Sequence, residues 1–189
     1  MMAILRDHGD AAANDPAWAP AQTVGRTICM HAGEGLRRSQ SVGSMASEWI
    51  AGRAVHWITA SASPCLSLFK PVLFETGLPG QGAAPTDKAD TESRWWRHER
   101  LHRAALDTYP ERLAAFAAVR DDLEASFRDR ICKALDTGVS AADLKAVVQH
   151  CWDEADAAEA YLRGPQASRP PRGAFAQSWR RLNKAAGLV

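Results

Sequence analysis

The chain changes hydrophobic rhythm once along its length. Between Arg26 and Phe69 apolar residues alternate with polar ones, the period of a half-buried strand. Ile28, Met30 and Ala32 alternate with Thr27, Cys29 and His31, and Gly33-Glu34-Gly35 then turns the chain. Residues 42–50 predict a second strand. Ala51-Gly52 predicts a tight turn into a third over 54–60, where Val55, Trp57 and Thr59 alternate with His56 and Ile58. A fourth short strand is expected over 66–69, stopping before Pro71. Ahead of these, residues 2–8 read as the end of a helix capped by Gly9, and 10–25 as a loop.

Past a stretch rich in glycine and proline the spacing becomes helical. Residues 92–107 predict one helix, ending near Tyr109-Pro110. Leu113, Phe116, Leu123, Phe127, Ile131 and Leu135 then form one buried stripe, closed by Gly138. Ser140, with Asp143 three residues on, has the form of a capping box. The helix it starts carries Leu144, Val147, Val148, Cys151 and Leu162 and is expected to end at Gly164-Pro165. Phe175, Trp179 and Leu182 mark a last short helix. Strands followed by helices predict an α+β fold, divided as a β region over 1–74, a linker over 75–91 and a helical region over 92–187.

Composition narrows the function classes. An apolar share of 46% and seven tryptophans suit a globular core, and 23 basic against 22 acidic residues give no stripe for nucleic acid. No run approaches a membrane span, and residues 1–8 do not have the form of a signal peptide. Cys29, Cys65, Cys132 and Cys151 lack CxxC spacing and sit in apolar segments, as buried free thiols of a cytoplasmic protein would. No cofactor is expected, and neither nucleic acid nor a membrane as a partner.

His98-Glu99-Arg100-Leu101-His102 spells the zinc-protease signature. On a helix the two histidines share a face, and Glu124 or Asp129 is a candidate third ligand. Arg97, Arg100 and Arg103 surround the motif and oppose a divalent cation, so packing by Trp95, Trp96 and Leu101, with Glu99 paired to Arg103, is the preferred reading.

Four blocks in order carry a family resemblance. They are residues 2–7 (Met-Ala-Ile-Leu-Arg-Asp), 27–33 (Thr-Ile-Cys-Met-His-Ala-Gly), 39–45 with 56–65 and 67–71, and 95–103 (Trp-Trp-Arg-His-Glu-Arg-Leu-His-Arg). Together they resemble the secernin and bacterial dipeptidase family of N-terminal-nucleophile hydrolases. The resemblance covers residues 1–135. It implies the C-terminal part of a four-layer αββα sandwich, with antiparallel strands over about 26–70 and helices over about 92–187. It also implies a cysteine nucleophile whose own α-amino group is the base, and dipeptides or small amides as substrates.

In that family the nucleophile precedes anything matching residues 2–7, so this chain is expected to be incomplete as a catalyst by itself. Cys29 and Cys65 are expected to be structural thiols. His31, Ser41, Ser44 and Thr59, on the matched strands, are the candidate pocket residues. By itself such a half is expected to self-associate or to take a partner chain. The alternatives are a non-catalytic interaction module that retains part of the fold, and a zinc peptidase using His98, His102 and Glu124.

Overall fold

A computed structural model describes residues 1–188 apart from Asn14, Val24, Gly25, Leu36, Arg38 and 163–172. It is an α+β arrangement: one three-stranded antiparallel sheet, order β1-β2-β3, packed on helices. β1 (Met45–Ile50) and β2 (Arg53–Ile58) form a hairpin in the register Ala46↔Trp57 and Glu48↔Val55. Its two-residue loop puts Ala51 at φ 48° and Gly52 at φ 75°, the primed-turn conformation that follows strand twist. Glycine adopts such angles without strain, and Ala51 holds one against its Cβ.

β3 (Lys70–Val72) pairs with β2 through Trp57↔Pro71. The expected strand over 66–69 thus begins later and contains Pro71 instead of stopping before it. A proline has no N–H to give the ladder, and it is tolerated here because β3 is an edge. Residues 64–66 form a 3-10 turn.

The expected first strand over 26–32 is absent. That segment runs extended beside other loops, with the Cys29 amide donating to Asp7 O at 2.9 Å and the Ser41 amide to Met30 O at 2.9 Å. Within it Cys29, the expected buried thiol, is buried together with His31 and Ala32, whereas Ile28 and Met30 are 49% and 37% exposed.

The longer helices follow their sequence signals closely, but the helix expected over 2–8 ends at Leu5, short of Gly9, and residues 10–25, expected as a loop, hold a helical turn. α1 (Met2–Leu5) and α2 (Asp10–Ala13) are single turns near the N-terminus. α3 (Arg94–Ala105) is capped by Ser93, whose hydroxyl accepts from the Trp96 amide, and continues as a 3-10 turn over Leu106–Thr108. α4 (Tyr109–Asp136) starts at Tyr109, with Pro110 in its first turn where its missing N–H costs nothing. α5 (Ala141–Ala158) begins at the Ser140–Asp143 cap. α6 (Ala174–Ala185) is the last described helix. The expected stop at Gly164-Pro165 lies outside the described residues. No helix among the described residues is long and apolar enough to cross a membrane.

Hairpin and helices share one core. Val55, Trp57, Leu66 and Phe69 pack in the same cluster as Phe116, Phe127, Ile131 and Trp152. Trp152 fastens α5 to the sheet by donating from Nε1 to Pro71 O at 2.8 Å. Residues 75–92 cross the surface with no regular element, apart from a Leu73↔Gly77 bridge.

Candidate functional site

The N-terminal turn, the 64–69 loop and α4 are bound together by one guanidinium. Arg6 donates to Pro64 O at 2.9 Å, to Ser67 O at 3.1 Å and to both oxygens of Glu124. Glu124 also accepts from the Phe69 amide at 2.7 Å, and Arg120 donates to Cys65 O at 2.8 Å. These contacts hold the loop that carries Ser63, Cys65 and Ser67 against the helices. Ser63 sits at φ 57°, a left-handed conformation that is uncommon for a residue with a Cβ. Ser63, Cys65 and Ser67 are all buried.

Three polar chains meet there. In the first, Glu99 accepts from His102 Nδ1 at 3.1 Å and from Arg103 Nε at 2.8 Å, while Ser63 Oγ lies 2.9 Å from His102 Nε2. Burial alone would raise the Glu99 carboxyl, but the hydrogen bonds and positive charge of His102 and Arg103 outweigh it and hold it at about 2. In the second, His98 Nε2 faces Ala62 O at 3.0 Å and Ser67 Oγ at 3.1 Å, and His98 Nδ1 faces Glu159 at 3.0 Å. Both chains have the connectivity of a Ser–His–acid triad. Ser63, His98, Glu99 and His102 are nevertheless completely buried, and no substrate reaches them. They are the internal wiring of the fold.

The third is a sulfur and imidazole cluster. His31 Nε2 is 3.4 Å from Cys65 Sγ, 3.8 Å from Cys29 Sγ and 3.1 Å from His8 Nε2. Its Nδ1 lies 3.5 Å from Ser63 Oγ, which joins this cluster to the Glu99–His102 chain. Burial lowers the affinity of His31 for a proton, against the pull of Cys65. Burial also opposes ionisation of Cys65, yet the hydrogen bond from Cys29 and the charge of His31 bring its thiol well below the usual range. Cys29, donating to Cys65, is pushed up. A thiol beside an imidazole can serve as a nucleophile or as a metal ligand.

Cys65 and His8 also touch a cavity of about 740 Å³, within the size range of small-molecule sites. Its walls come from α1, β1, Trp57 and α4, and they carry Arg6, Arg120 and Arg128 together with Glu48, Asp121 and Glu124. Asp121 is the most open of these charges, its side chain 63% exposed, and Arg128 and Glu48, paired at 3.0 Å, follow at 53% and 33%.

The sequence-based candidates divide unevenly. His31 enters the sulfur cluster. Ser41 donates to Ile28 O and accepts from the Met30 amide, while Thr59 accepts from the Ser44 amide and donates to Ser61 O. Ser41, Ser44 and Thr59 therefore latch loops together, and none of the four candidates lines the cavity.

The zinc-signature alternative is not assembled. His98, His102 and Glu124 each point to different partners, with both ring nitrogens of His98 facing oxygen acceptors and Glu124 held by Arg6. The preferred pairing of Glu99 with Arg103 is present.

His8 and Cys65 were not singled out by sequence reasoning as site residues. The Cys29-x-His31 alternation, which puts a thiol and an imidazole on one face of an extended segment, was the available signal. No protein-family model, curated protein or solved structure matches the chain.

Proposed function

We propose that this chain is the C-terminal part of an N-terminal-nucleophile αββα hydrolase acting on dipeptides or other small amides, and that it supplies the binding cavity and not the nucleophile. The observation that carries the reading is the charge pattern of the 740 Å³ cavity. Cations and carboxylates line it together, as a ligand with both an ammonium and a carboxylate requires. In this reading Arg128 takes the carboxylate and Glu48 the amine, each exchanging its present partner for the ligand. Neither internal thiol near the cavity fits the nucleophile's role. Cys29 and Cys65 have their α-nitrogens in peptide bonds, and Cys65 is 2% exposed. The outer edge of β1 has no strand partner among the described residues and borders the cavity. The reading puts the remaining sandwich strands, with the nucleophile, along that edge.

The test is calorimetric titration of the purified chain with a dipeptide and with the same dipeptide amidated at its C-terminus. Saturable binding of the free acid is expected. Amidation or Arg128→Ala should each weaken it about tenfold or more, the loss of one charge-assisted contact. No binding, or binding indifferent to both changes, would refute the reading. Dipeptide turnover by this chain alone that disappears in Cys65→Ala would move the nucleophile to Cys65.

A further inference from the structure

We propose that His8, Cys29, His31 and Cys65 form a tetrahedral zinc site that ties the N-terminal segment to the loop after β2. The four ligand atoms all lie within 4.8 Å of one another. Zinc–sulfur and zinc–nitrogen bonds of about 2.3 and 2.0–2.1 Å give tetrahedral ligand–ligand edges of roughly 3.3–3.8 Å. The three contacts at His31 Nε2, at 3.1, 3.4 and 3.8 Å, lie close to that range.

The four groups are of the kinds that give a cation a lone pair: Cys29 and Cys65 as thiolates, and His8 and His31 through Nε2, with the other ring nitrogen of His31 facing Ser63 Oγ at 3.5 Å.

The chain from His31 through Ser63 and His102 to Glu99 is the outer support that metal-bound imidazoles ordinarily have. Tyr109 closes one side of the cluster: it is 1% exposed, and its ring stands edge-on to both His8 and His31.

Two thiolates neutralise a divalent cation, so the loaded site is uncharged, as its burial requires. Two sulfurs with two imidazoles select zinc over the oxygen-seeking divalent ions. Four protein ligands leave no open position, so the site is structural. The histidines of the zinc-protease signature are not its ligands. His102 acts on the site from outside, through Ser63.

The experiment uses the whole chain and zinc itself. Elemental analysis should give about one zinc per chain. Competition of the metal-free protein against a chromogenic chelator should return one tight site, and cobalt loading should give tetrahedral visible bands with sulfur charge transfer. His8→Ala removes the least buried ligand and should weaken zinc roughly tenfold or more. Ser63→Ala should weaken it on the order of tenfold to a hundredfold while leaving all four ligands. His150→Ala and Cys132→Ser, away from the cluster, should keep full zinc. Wild-type protein that takes up no zinc in the competition assay overturns the proposal, whatever the variants do. So does a cobalt spectrum without sulfur charge transfer, or an unchanged affinity in His8→Ala.

Discussion

Replacing Glu99 with glutamine keeps the shape of a completely buried side chain and removes its charge. The carboxylate accepts from His102 Nδ1 at 3.1 Å and Arg103 Nε at 2.8 Å, with Gln40 Nε2 at 3.3 Å. Glutamine offers one acceptor oxygen to these donors and turns an amide donor toward the rest. Removing one member of a buried ionic network typically costs about 3–5 kcal/mol. Proton linkage gives a second estimate. A carboxyl held at about 2 against an ordinary 4.5 contributes on the order of 3 kcal/mol, at about 1.36 kcal/mol per pH unit. The folded state depresses this group, so its contribution is full above pH 4.5 and is lost as pH falls towards 2. Urea unfolding of wild type and Glu99→Gln should therefore differ by about 3 kcal/mol at neutral pH, and the gap should close through that acid window. A loss below about 1 kcal/mol, or a gap that is constant from pH 6 to pH 2.5, would refute the assignment of Glu99 as the charged anchor of this network.

Two further outcomes follow from the core. Lys70 is buried, and burial lowers its amine from 10.5 to about 8 while it donates to Thr59 O and Leu68 O. The unfolded chain binds the extra proton between pH 8 and 10.5, so stability should rise across that interval by on the order of 3 kcal/mol relative to Lys70→Met; parallel curves would contradict it. Phe127 is completely buried in the core shared by hairpin and helices, so Phe127→Ala should cost about 3–5 kcal/mol in denaturant unfolding, and a loss under about 1 kcal/mol would mean that the α4 interface is not tightly packed.

Local chemistry was legible in the sequence wherever its cause is local. The Ala51-Gly52 turn, the Ser140–Asp143 cap, the apolar stripe of α4 and the pairing of Glu99 with Arg103 depend on residues at most four apart, and all are present. The α+β class follows from the single change of period. Only the tertiary structure decided which face of residues 27–32 is buried, because alternation fixes a parity and not a direction. The thiol and imidazole of Cys29 and His31 turn inward because Cys65, 34 residues beyond His31, and His8, 23 residues before it, wait there. Contacts over such separations leave no periodic trace in the chain. Pro71 shows the same limit. Its missing N–H bars it from a central strand, and whether β3 is central or an edge is settled by what packs beside it, here α5 through Trp152. The zinc-signature histidines share one helix turn pattern, as the spacing required, yet their partners are the Ala62–Ser67 loop and Glu159. A spacing fixes direction along a helix, and the surrounding fold decides what stands opposite.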